Sequence, residues 1–257
     1  MKYYTGIDIG STASKVVVLD SEGIVTSFVL PTGWSSKETA AAISDRLTEE
    51  GCPVDGEMKV IATGYGRVSV SYAAKTVTEI TCHGKGGFAM IGHDCTIIDI
   101  GGQDTKVITV ENGMASSFLM NDKCSAGTGK FLEIMANRLG VGMQELFALA
   151  EQGKPLSISS MCTVFAESEV ISHIGAGESR EDIAAGVVES VVKKVAGLCS
   201  RHNMKGDVIL TGGLCECPYL LTRLSDVLGV PVRSGPMGRY AGALGAALIA
   251  RGKPKKA

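Results

Sequence analysis

The nine residues from Asp8, DIGSTASKV, return later in the chain as DIGGQDTKV from Asp99. Both copies have Asp-Ile-Gly, four further residues, then Lys-Val, and both lie between two apolar, alternating runs. Tyr3 to Ile9 and Lys15 to Leu19 flank the first copy; Cys95 to Ile100 and Thr105 to Glu111 flank the second. Alternation of this kind marks strands, and the glycine-containing segment between them marks a turn. Two unrelated hairpins could share common turn residues, but a spacing kept over the whole stretch points to duplication. The chain must therefore fold as two related halves.

The rest of the pattern fits that constraint. In the first half a third strand spans Ile24 to Leu30. Ser35 and Glu38 form a capping box for a helix that runs to about Glu50 and stops at Gly51. A strand at Met58 to Ala62 and a helix at Glu79 to Ile91 follow. In the second half Asn112-Gly113 signals a hairpin into a strand at Met114 to Met120. Phe131, Leu132, Met135 and Leu139 then recur at helical spacing up to Gly140. Further on come a helix behind Cys162, a helix from about Glu181 to Arg201 and a strand at Asp207 to Leu210. Thr211-Gly212-Gly213, a helix to Leu228, a strand at Val230 to Val232 and a last helix through GALGAALIA complete the chain. A strand meander followed by alternating helix and strand predicts an α/β protein of two halves around a cleft, residues 1–94 and 95–257.

Composition excludes several functions. With 257 residues, 45% of them hydrophobic, the chain can bury a real core. A net charge of -2 without a basic stripe argues against nucleic acid, and the closing KPKK is expected to be a solvated tail. No run approaches a membrane span, and MKYYTGIDIG begins a strand rather than a signal peptide, so a soluble cytoplasmic protein is expected. Eight cysteines in such a chain are not expected to form a disulfide framework. The absence of any C-x-x-C also rules out a self-contained zinc ribbon or ferredoxin-type run.

In the first turn Gly10 lets backbone approach a phosphate, Ser11, Thr12 and Ser14 can donate hydrogen bonds, and Lys15 adds a positive charge. Asp8 would repel that phosphate unless Mg²⁺ stood between them. With Asp99 and the TGG at Thr211 to Gly213, it suggests a metal-bound nucleotide held between the halves. Cys124 precedes one helix and Cys162 another, where helix N-termini favour a thiolate or an anionic metal cluster.

These pieces together resemble the actin, heat-shock chaperone and sugar-kinase ATPases, which implies two ribonuclease-H-like, actin-like halves clasping ATP. The resemblance implies phosphate loops at Asp8 to Lys15 and at Asp99 to Lys106, the latter with Gly101, Gly102, Gln103 and Asp104. It puts Gly212 and Gly213 on the adenosine side, and Gly242 in a last helix, about 239–251, that packs between the halves. The strings TGYGR, EITCHGKG, IIDIGGQDTK, MNDKCSAGTGKFLEIMA, SISSMCTVFAESEVISH and GALGAAL narrow the likeness. They look like the ATP-dependent activators of 2-hydroxyacyl-CoA dehydratases and benzoyl-CoA reductase-type enzymes, in the BadF/BadG/BcrA/BcrD ATPase family. That resemblance implies a homodimer sharing one 4Fe-4S cluster, ligated by Cys124 and Cys162 of each chain. It also implies a ferredoxin or flavodoxin as donor, ATP and Mg²⁺ as cofactors, and injection of one low-potential electron into the partner enzyme. Gly127-Thr128-Gly129 would lie near the nucleotide. Asp8 and Asp99 would organise Mg²⁺ and its waters, with Gln103 orienting the attacking water.

Other residues read more plainly. Cys215 and Cys217 are expected to be a peripheral pair, Cys82 and His83 to serve packing or a hinge, and Cys52, Cys95 and Cys199 to be ordinary thiols. Glu167 and Glu169 cannot share a helix face, and Trp34 and the Lys193-Lys194 pair suggest packing or solvation. A phosphotransferase of the same fold is the main rival function, and a nucleotide-switched binding module is another. The first leaves Cys124 and Cys162 unexplained, and the second would be expected to carry a substrate-binding extension.

Overall fold

In the computed structural model, which describes residues 2–252, β1 (Tyr3–Ile9), β2 (Ala13–Leu19) and β3 (Ile24–Pro31) form an antiparallel meander. β4 (Met58–Thr63) pairs parallel to β1 and β5 (Lys75–Thr76) parallel to β4, so the sheet order is β3-β2-β1-β4-β5. α1 (Ser36–Glu49) begins where the Ser35 hydroxyl accepts from the Glu38 amide at 3.3 Å, as the capping signature predicts. Its inner face, Ala40, Ile43 and Leu47, joins Ile7, Val16, Val18 and Val60 in one core cluster.

The second sheet repeats the plan. β6 (Cys95–Ile100), β7 (Thr105–Glu111) and β8 (Met114–Asn121) make the next meander, turned at Asn112 (φ 53°) and Gly113 (φ 73°). Two successive positive φ values are what a tight hairpin needs, and Asn-Gly supplies them with little strain. β9 (Asp207–Gly212) and β10 (Val232–Arg233) complete the order β8-β7-β6-β9-β10, which matches that of the first sheet strand for strand. This topology supports the duplication, and the α/β class is the one the sequence predicts.

α2 (Glu79–Ile91) links the two sheets in sequence, and α3 (Gly129–Leu139), α4 (Met143–Gln152), α5 (Thr163–Ala176) and α6 (Arg180–Cys199) lie between β8 and β9 in the chain. α7 (Pro218–Leu228) and α8 (Ala241–Arg251) follow β9 and β10 respectively. α4 was not expected, although Leu146, Phe147 and Ala150 bury at helical spacing. Gly142 before it and Gly153 after it punctuate a segment only about three turns long. The short β10 also begins two residues later and ends one residue later than the expected strand.

Grouped by contact, one unit holds the chain up to Ile97, Ile108–Ser117 and the chain from Gly235 onward; the other holds Ile98–Val107 and Phe118–Ser234. This grouping differs from a cut at 94/95 because α8 packs on β1, β2, β4 and α2. Small residues make that approach possible. A Cβ on Gly245 would stand 2.6 Å from the Cys82 carbonyl carbon and 2.9 Å from the Gly86 nitrogen, well inside contact distance. The expected basic tail, KPKK, lies outside the described residues. Among those residues no helix is long and apolar enough to cross a membrane.

Candidate functional site

Asp8 closes β1, only 7% exposed, directly across from Lys15 of β2 and beside Thr63 of β4. The Lys15 ammonium folds back over the turn, 3.5 Å from where a Cβ on Gly10 would be. Ser11 and Thr12 are accessible at the turn, but the Ser14 hydroxyl is fully buried against Thr32 at 2.8 Å and holds β2 to β3. Gly242, near the start of α8, also lies here. A Cβ there would be 2.9 Å from Asp8 Oδ2 and 2.9 Å from His83 Nε2, so carboxylate and imidazole converge on the space the glycine leaves open. His83, read from sequence as packing, is 6% exposed beside Asp8. Its position follows from α2 lying against α8, a pairing between distant segments.

In the other unit Asp99 is 3% exposed at the end of β6. Thr211 Oγ1 donates to its Oδ1 at 2.7 Å, and Lys106 Nζ lies 3.4 Å from its Oδ2. Lys106, itself buried, is also 2.7 Å from Asp104. The Gly101 amide donates to the Asp104 carbonyl, closing the turn and leaving Gln103 exposed at its tip. The Gly129 and Lys130 amides at the start of α3 donate to the carbonyls of Gly101 and Gly102, at 2.9 and 2.8 Å. Thr105 Oγ1 donates to the Gly127 carbonyl at 2.7 Å, and Thr128 is buried with its hydroxyl on the Ser125 carbonyl. The GTG segment is thus built onto the second turn. The expectation that the N-terminus of α3 faces Cys124 is corrected here, because its first amides are spent on Gly101 and Gly102.

A correspondence between the units escaped the sequence reading. Thr63-Gly64 ends β4 and Thr211-Gly212 ends β9, with φ 87° at Gly64 and 93° at Gly212. Each glycine crowds the aspartate of its own unit: a Cβ would meet Asp8 Oδ1 at 2.5 Å or Asp99 Oδ1 at 3.2 Å. The signal was a Thr-Gly dipeptide behind the fourth strand of each half. Gly213 is exposed next to Gly212.

The two singled-out cysteines come together in the same unit. Asn121 Nδ2 donates to the carbonyls of Cys124 and Ala126, Ser125 bonds Thr163 at 2.9 Å, and Cys124 Sγ lies 3.7 Å from the Met161 carbonyl. Cys162 is the N-cap residue of α5, and both thiols are half-buried. Beside them α5 buries Ala166 and Val170 but exposes Val164, Phe165, Ile171 and Ile174, with Met161 just before it. Glu167 pairs with Arg138, whereas Glu169 accepts from the Ser159 amide at 2.6 Å, so the two carboxylates work separately.

The remaining cysteines pack. Cys215 is buried and Cys217 caps α7 against the same core, its thiol pushed up by burial. Burial raises the Cys82 and Cys199 thiols to about 12. Among the described residues no group of three or more His, Cys, Asp or Glu side chains could hold a metal ion.

The sequence profile of the BadF/BadG/BcrA/BcrD ATPase family matches residues 5–250. The chain belongs to that family. It is 45% identical to the (R)-2-hydroxyglutaryl-CoA dehydratase activating ATPase of Acidaminococcus fermentans over all of both chains. It is 43% identical to the activator of lactoyl-CoA dehydratase of Anaerotignum propionicum, over 96% of this chain and 97% of that one. Among solved structures, component A of the Acidaminococcus fermentans (R)-2-hydroxyglutaryl-CoA dehydratase superposes with a TM-score of 0.90 at 43% identity, covering 97% of each chain. The EutJ protein of Carboxydothermus hydrogenoformans, at 15% identity, shares the fold alone, with a TM-score of 0.63 over 97% of this chain and 90% of that chain.

Proposed function

We propose that the protein is a cytoplasmic, ATP-dependent activator that passes one low-potential electron to a 2-hydroxyacyl-CoA dehydratase or a related acyl-CoA reductase. The convergence of Cys124 and Cys162 carries this reading. Two half-exposed thiols per chain are half of the set a cubane cluster takes, and a two-fold axis would duplicate them. The donor set therefore fits a 4Fe-4S cluster shared by two copies. The bare apolar arc of α5 beside Cys162 supports a homodimer, since large apolar side chains grouped beside a functional corner favour association. When bound, the cluster supplies a one-electron carrier, reloaded by a ferredoxin or flavodoxin.

The two turns fit Mg²⁺·ATP. Gly10, Ser11, Thr12 and Lys15 would meet phosphates in one unit, and Gly101, Gly102 and Asp104 with Gly127 and Gly129 in the other. Gly212 and Gly213 would lie on the adenosine side. The metal supplies neutralisation of phosphate charge. Asp8 and Asp99 would organise its waters, Asp99 being held in place by Thr211 and Lys106. Gln103, exposed at its turn, would orient the attacking water. The hydrogen bonds from α3 to the second turn, and those from Asn121 and Ser125 to the cysteine loop, give nucleotide and thiols a shared scaffold.

A phosphotransferase needs neither thiol, so metal content separates the readings. Protein purified without oxygen should be brown, with about two irons per chain. Cys124→Ser and Cys162→Ser should each lose the iron, and Cys215→Ser should keep it. Colourless wild-type protein that phosphorylates a sugar would refute the proposal.

A further inference from the structure

A cavity of about 530 Å³ opens between α6 and the loop that follows β8. That volume is in the range of small-molecule sites, roughly 300–1,000 Å³. Its charge is one-sided: Lys193, Lys194 and Arg201 line it, and no carboxylate does. Ser160 adds a polar side chain; Asn121 and Thr105 also line the cavity, but their donors are engaged by the carbonyls of Cys124, Ala126 and Gly127. Lys193 and Lys194 lie on α6, and Arg201 lies in the turn just past its end at Cys199. The Lys194 stem packs on Gly127, where a Cβ would meet its Cγ at 2.6 Å, so the lysine is braced rather than waving in solvent. The nearest paired acid is Glu189, 3.8 Å from Lys193 and already bonded to Arg223 at 2.9 Å. Arg201 Nε donates to the Gly197 carbonyl, which offsets the negative end of α6.

Three cations gathered in a concave site repel one another unless an anion is present, and a phosphate group accepts from lysine, arginine and hydroxyl together. We propose that this cavity is a second anion site, for a phosphate-bearing small molecule. It adjoins the second turn, whose Thr105 lines it together with Gly127, but neither Asp8 nor Asp99 does. Its walls include Asn121 and Ser160, one holding the Cys124 loop and the other two residues before Cys162, so an occupant would sit behind both thiols.

The probe is inorganic pyrophosphate, titrated calorimetrically into the full chain with Mg²⁺·ADP saturating the nucleotide turns. Binding should persist under those conditions, weaken at least tenfold in Lys194→Met/Arg201→Met and weaken less in Arg201→Met alone. Lys75→Met, in the other unit, should bind like wild type. Affinity unchanged in the double variant, or binding abolished by Mg²⁺·ADP, would overturn the proposal. Competition with coenzyme A and with Mg²⁺-free ADP then identifies the source of the phosphate, inorganic phosphate being the source if neither competes.

Discussion

Replacing Lys106 by methionine tests the electrostatics of the second turn directly. The Lys106 and Asp99 side chains are 4% and 5% exposed and 3.4 Å apart, so little water is available to either charge. At an effective dielectric of about 20 their attraction is about 5 kcal/mol, most of which offsets the desolvation of the two ions. Removing only the cation leaves Asp99 buried and uncompensated, a change that typically costs 3–5 kcal/mol. Asp104 adds little, because its side chain is 28% exposed and water screens it. For a chain of this size roughly 2–4 °C accompany each kcal/mol, so thermal unfolding of Lys106→Met should begin roughly 6–20 °C lower. Asp99→Asn/Lys106→Met removes both charges and keeps an acceptor for Thr211, so it should lose clearly less than the sum of the single variants. A loss below about 1 kcal/mol in Lys106→Met, or simple additivity in the double variant, would refute the buried ion pair as the reason these residues recur together.

Alkaline stability offers a second measurement. Burial raises the Cys82 and Cys199 thiols from 9.0 to about 12, so the folded state favours their protonated forms. Their contribution is complete below about pH 9 and disappears as pH rises towards 12. Cys82→Ala/Cys199→Ala should therefore lose stability less steeply than wild type over that window in denaturant titrations; equal slopes would show that the thiols ionise freely in the fold. On α5, Phe165 is 60% exposed, and Phe165→Asp should leave the unfolding midpoint of the isolated chain nearly unchanged while shifting sedimentation from dimer to monomer. A persistent dimer would remove that face from the interface.

Periodic and local features were legible in the sequence. The three-stranded meanders, the Asn-Gly hairpin, the Ser35 cap and the glycine stop of α3 all rest on signals a few residues long. Pairings across distance were harder to read. Nothing adjacent to His83 in sequence indicates that α2 will lay it beside Asp8, because that contact depends on α8 returning from the far end of the chain. The pairing of Lys106 with Asp99 was hidden differently: seven residues separate them across a turn, and a lysine in a phosphate loop reads first as a phosphate ligand. The apolar residues of α5, Val164, Phe165, Ile171 and Ile174, fall at helical spacing in the sequence, but periodicity does not say whether such a face turns inward. Here Ala166 and Val170 take the inside and the large residues stay outside.

The duplicated turns also show how one local plan acquires two electrostatic characters. Both units put an aspartate at the end of their first strand, a lysine seven residues on and a Thr-Gly after their fourth strand. In the second unit the copy closes on itself, since lysine and threonine both reach the carboxylate. In the first, Lys15 bends over Gly10, and the space near Asp8 is bordered by His83 and by a glycine at the start of a helix. A helix start carries partial positive charge but no formal charge, so the start of α8 adds a favourable field beside Asp8. The two halves are therefore alike in backbone and unlike in the groups around each aspartate, and that difference follows from which distant segments pack behind each turn.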